Sequence, residues 1–207
     1  LEKKQFSTSF NLNDEDERAL ELLRKVSIAM EMLGTRNIDS KDLRKLVSEK
    51  ADFELIKHCT VFNKEEGFEH WKFEHNNFQE ILSAEKLAEL PYEAVIGLIA
   101  FKDYNKVQPS WANTLSFLIS LLDEHDVLFQ PLISWIITHD PEVLVKVEKE
   151  RIPQKTRTEI FIQIFNYYKE LNIWINSNKF SYYDLAHFGE SNTSINFIIN
   201  EVINTDN

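Results

Sequence analysis

Apolar residues Ala19, Leu22, Leu23, Val26, Met30 and Leu33 recur at helical spacing, and Asn13 or Asp14 stands ready to cap them. The acidic run Asp14 to Glu17 suits the positive end of that helix, and Gly34 supplies its stop. Two short helices follow. Ser40 is expected to cap one carrying Leu43, Leu46 and Val47. Asp52 is expected to cap one carrying Phe53, Leu55 and Ile56. The pattern then changes period. Cys59 to Phe62 is β-prone, Asn63 to Gly67 reads as a turn, and Phe68 to Phe73 alternates. Asn76 or Asn77 caps the next helix, where Phe78, Ile81, Leu82, Leu87 and Leu90 precede Pro91. Phe78, Ile81 and Leu82 are expected to pack together on the first helix. Residues 1–12 read as an extended arm.

Beyond residue 92 the pattern is helical throughout, and no strand is expected. Tyr92–Phe101 is nearly all apolar, and Lys102 to Pro109 is a polar connection. Helices are predicted from Ser110, from Asp126, from Asp140-Pro141, over 157–172, over 182–188 and over 194–203. Trp111, Trp135 and Trp174 read as core. The segments NTLSFLISLL, PLISWIITH and EIFIQIFNYY resemble one another loosely, and each is too apolar to stand alone. Antiparallel stacking as an α-solenoid, or an ordinary helical bundle, would bury them.

The predicted fold is thus mainly α. Residues 1–91 form a winged-helix-like part with one β-hairpin, because three helices followed by a hairpin is the order of that fold. Residues 92–207 form antiparallel helical repeats of HEAT-like type.

Composition narrows the chemistry. The 207 residues carry 23 Lys and Arg against 34 Asp and Glu, a net charge of −11. That field opposes nucleic acid and anionic membranes. The basic cluster Lys41, Arg44 and Lys45 sits among Asp39, Asp42 and Glu49 and reads as a solvated helix face. The longest apolar run, Ala94 to Phe101, is far below the roughly 20 residues a membrane helix needs. A soluble, cytoplasmic protein is expected. Its first residue is Leu rather than Met, which suggests a piece of something longer.

The four glycines, Gly34, Gly67, Gly97 and Gly189, are too far apart for a phosphate-cradling loop, a dinucleotide fingerprint or a nucleophile elbow. His70 and His75 flank Glu74, yet a zinc centre needs a third protein ligand, and none is apparent. Cys59 neighbours His58 on what would be opposite faces of a strand, so a small buried thiol is expected there. No catalytic constellation emerges, and the chain is expected not to be an enzyme.

One segment is specific. Residues 71–90 read WKFEHNNFQEILSAEKLAEL. They resemble the pattern Phe-x-His-x-x-Phe-Gln-Glu-x-x-x-Ala that closes the winged-helix part of NACHT-type STAND NTPases. Phe73, His75, Phe78, Gln79, Glu80 and Ala84 fill it in register. Ile81 and Ser83 depart mildly from it. The resemblance implies that His75 contacts nucleotide phosphates held by a P-loop domain of the same protein, while the other five residues pack the motif. It implies ATP or ADP and Mg only with that P-loop domain, and no cofactor in this chain. It also implies a protein partner or trigger for the helical region, with antiviral defence as one context. A free-standing helical interaction module without a nucleotide link is the other expectation.

Overall fold

The computed structural model describes residues 13–101, 103–175, 177 and 179–205. The arm expected over residues 1–12 lies outside them. The chain is mainly helical with small antiparallel sheets, and it divides into two compact units between Lys86 and Leu87.

The first unit opens with α1 (Asp14–Met32). Asn13 and Asp16 cap its start reciprocally, each side chain accepting the other's backbone N–H. At its far end Gly34 takes φ +61°, and Thr35 N–H reaches back to the Met30 carbonyl. The chain then enters β1 (Ile38–Asp39), a strand too short to show any periodicity. The helices α2 (Ser40–Leu46) and α3 (Lys50–Lys57) follow, then β2 (Phe62–Lys64), β3 (His70–Phe73) and α4 (Asn76–Ala88). The sheet order is β1-β3-β2, all antiparallel, with Ile38 opposite Trp71 and Phe62 opposite Phe73.

Two expected caps have other roles. Asp39 caps α2, accepting from Lys41 N–H at 2.7 Å, while the Ser40 hydroxyl accepts from Trp71 Nε1 at 3.0 Å. Asp52 lies inside α3, buried, and pairs with Arg18 at 2.5 Å. The core gathers Leu23, Val26 and Met30 of α1, Leu43 of α2, Phe53 and Ile56 of α3, and the strand aromatics Phe62, Trp71 and Phe73. Phe62 lies between the other two rings, 5.8 Å from Trp71 and 4.8 Å from Phe73. Burying one such ring contributes about 2–3 kcal/mol, so these residues fix the hairpin against the helices.

The second unit holds α5 (Tyr92–Ile99), α6 (Ala112–Leu121), α7 (Phe129–His139), α8 (Gln154–Glu170), α9 (Tyr182–Phe188) and α10 (Asn192–Thr205). The expectation of no strand here is corrected. β4 (Ala100–Phe101) pairs antiparallel with β5 (Lys106–Val107), and Asn105, in the left-handed region at φ 49°, helps turn the chain between them. Asp140-Pro141 opens a 3-10 turn over Pro141–Lys146 rather than an α-helix. Its Val143, Leu144 and Val145 are buried, and it packs against α6, α7, α8 and α9. The Asp140 carboxylate beside it is buried. It accepts from Lys179 Nζ at 2.6 and 2.7 Å and from Val107 N–H at 3.2 Å. Trp111 is core and Trp135 half-buried, but Trp174 is 79% exposed, contrary to its expected place in the core.

Candidate functional site

The sequence motif falls at the junction of β3 and α4, where its residues separate into two sets. Phe73, Gln79, Glu80 and Ala84 are buried, whereas His75 and Phe78 are exposed.

Phe73 ends β3 with its ring on Phe62, and Glu74 N–H donates to the Val61 carbonyl at 2.9 Å. These contacts pin the strand up to the residue before His75. The His75 carbonyl accepts from Phe78 N–H at 3.0 Å, starting the helix, and the His75 and Phe78 rings lie near parallel with centroids 6.0 Å apart. The two rings form a small exposed pair at the start of α4.

Phe78 is not the fully buried core residue expected, since it is 37% exposed. The face of α4 turned inward is polar at this end. Gln79 Nε2 donates to Glu31 Oε1 at 2.7 Å and to the Thr35 carbonyl at 3.1 Å. Arg36 bridges Glu31 at 3.0 Å and Glu80 at 2.8 Å through separate guanidinium nitrogens. Both carboxylates are almost wholly buried, at 1% and 3% side-chain exposure, while Arg36 keeps 43%. The guanidinium is thus the link between two buried acids and water. Further along, Arg24 with Glu85 at 2.7 Å and Lys86 with Glu21 at 2.6 Å tie α4 to α1.

Sequence reasoning named Gln79 and Glu80 through the resemblance and missed Glu31 and Arg36. A Glu on the last turn of α1 and an Arg just past Gly34 carry no signal of their own in the chain. Their pairing with α4 exists only once the chain has folded back.

The other residues singled out stay apart from this site. His70 is half-buried in β3, 6.4 Å ring to ring from the exposed Phe68. Cys59 is half-buried rather than fully buried. Its Sγ lies 3.5 Å from the Leu55 carbonyl, and burial pushes the thiol's pKa up, which disfavours the nucleophilic thiolate. Among the described residues, no group of three or more His, Cys, Asp or Glu is placed to hold a metal ion. No described helix is long and apolar enough to cross a membrane.

The exposed imidazole can donate a hydrogen bond to an anion, and the Phe78 ring beside it offers an apolar contact. No protein-family model matches the chain, and no curated protein or solved structure matches it significantly.

Proposed function

We propose that this chain is the regulatory and sensing portion of a NACHT-type STAND NTPase. In this reading residues 1–91 are a winged-helix-like domain that latches a P-loop domain of the same protein, and residues 92–207 bind a trigger protein. The observation that carries it is the division of the motif. Four of its five packing residues, Phe73, Gln79, Glu80 and Ala84, are buried, and the residue assigned to phosphate contact, His75, stands exposed beside Phe78 at the start of α4. An imidazole so placed can donate to a phosphate oxygen in the closed state, and loss of that bond frees the two domains. ATP or ADP and Mg belong to the P-loop domain, and this chain contributes a contact rather than catalysis.

The element order α1-β1-α2-α3-β2-β3-α4, with the third strand central, supports the winged-helix reading. For residues 92–207, the segment Pro141–Lys146, buried at Val143, Leu144 and Val145, packs against four helices. That supports a bundle closed around it over an open HEAT-like stack, in which each repeat meets only its neighbours. The exposed Trp174, Tyr167 and Tyr183 support a protein-binding role for this region, and they serve a free-standing interaction module equally well.

The gene upstream of Leu1 separates the two. An in-frame Gly-x-x-x-x-Gly-Lys-Ser/Thr segment is expected for the switch, and its absence leaves the interaction module. In the full-length protein, His75→Ala should raise basal activity while leaving the fold intact. Unchanged basal activity would remove His75 from the latch.

A further inference from the structure

An open groove of about 640 Å3 lies between α2, α3 and the β2–β3 hairpin. Lys41, Arg44, Lys57 and Lys64 line it, against only Asp39 and Glu69. On a chain of net charge −11 this is a local reversal of sign. The opposing acids are already engaged. Asp39 accepts the Lys41 backbone N–H, and Glu69 pairs with Lys64 at 2.6 Å. Lys57 pairs with Glu54 at 2.7 Å. The two lysine pairs are partly open to water, where such contacts contribute less than about 1 kcal/mol and exchange readily. Lys41 and Arg44 form no ion pair among the described residues. Arg44 Cζ lies 4.7 Å over the Phe53 ring, a contact that uses the guanidinium face and leaves its N–H groups available for a carboxylate.

We infer that this groove binds an acidic peptide segment of a protein partner, with one carboxylate on Arg44 and another on Lys41. The aromatic floor argues against a nucleotide. Phe53 and Trp71 are both buried, and Trp71 Nε1 is committed to Ser40, so neither ring offers a face on which a base could stack. The acids interspersed among the cations break up a phosphate track but leave room for carboxylates spaced along a peptide. The inference is independent of the His75 latch, because neither His75 nor Phe78 lines the groove.

The test uses the whole chain and a fluorescein-labelled peptide of about 12 residues, Glu and Asp flanking one Leu, followed by anisotropy at about 50 mM salt. Saturable binding is expected. Lys41→Gln and Arg44→Gln together should weaken it at least about tenfold, a change of roughly 1.4 kcal/mol. Lys155→Gln, on exposed α8 surface, should change it less than about twofold. Circular dichroism confirms that each variant is folded. Absence of saturable binding would overturn the inference. So would an equal loss in Lys155→Gln, which would mean unspecific charge attraction. Tighter binding of a short DNA duplex than of the peptide would also overturn it and assign the groove to nucleic acid.

Discussion

Phe73 and Phe78 are five residues apart in one motif and live in opposite environments. Phe73 is core, and Phe78 leans outward on His75. Truncating them should therefore give different results. Phe73→Ala should cost about 3–5 kcal/mol in urea unfolding, as for a buried aromatic. Phe78→Ala should cost about 1 kcal/mol or less, and His75→Ala should stay within about 0.5 kcal/mol. A loss of 2 kcal/mol or more in His75→Ala would make the histidine structural. Hydrophobic spacing marked Phe78 as core because a large aromatic is ordinarily turned inward. Here Gln79 and Glu80 take the inward positions, because Glu31, Thr35 and Arg36 supply their hydrogen bonds. Periodicity cannot register that exchange, since the partners lie more than 40 residues away.

The elements with strong caps or long apolar stripes were the ones legible beforehand. α1 with its Asn13 cap and α9 from Tyr182 to Phe188 lie where the pattern puts them, whereas the hairpin, expected as Cys59–Phe62 and Phe68–Phe73 about a turn at Asn63–Gly67, has its strands at Phe62–Lys64 and His70–Phe73. The two-residue strands β1, β4 and β5 were not legible, because two residues cannot display alternation. At α9, Ser181 and Asp184 form a capping box, and Lys146 reaches Asp184 at 2.7 Å. The Lys146 bond and the Ser181 donors hold the Asp184 carboxyl down at about 2. A lowered pKa stabilises the fold above the unfolded value near 4 and stops doing so as pH falls toward 2. Asp184→Asn should thus cost about 1 kcal/mol at neutral pH, the usual worth of a cap, with the gap to the parent closing between about pH 4 and 2. Thermal melts across that range check it. Glycine gives a second contrast. A Cβ on Gly97, exposed on α5, would meet nothing within 4 Å, so Gly97→Ala should stabilise by about 0.5–1 kcal/mol. A Cβ on Gly189 would come within 2.5 Å of the Phe161 side chain, and Gly189→Ala should destabilise by about 1–3 kcal/mol. Melting temperatures that moved the same way in both variants would contradict this packing.

Across the whole molecule, charge and apolar content set the broad class, while the polar pairs that lock each unit stayed hidden in the sequence. In the second unit, Lys179 neutralises the buried Asp140 from 39 residues away, and Val107 N–H adds a third contact. Lys179→Met should cost about 3–5 kcal/mol by stranding that carboxylate, measured by urea unfolding. The first unit has its counterpart in the link from Gln79 to Glu31, which closes over 48 residues of chain. A contact spanning that distance, with its charges desolvated only when α4 seats on the turn after α1, should form late on the folding path. Its consequence is kinetic. Arg36→Met should leave the refolding rate nearly unchanged and steepen unfolding, so that stopped-flow traces show the native state escaping sooner rather than assembling more slowly. The buried Gln and Glu of the motif then act as a brake on opening, and the exposed histidine beside them stays in position for as long as that brake holds.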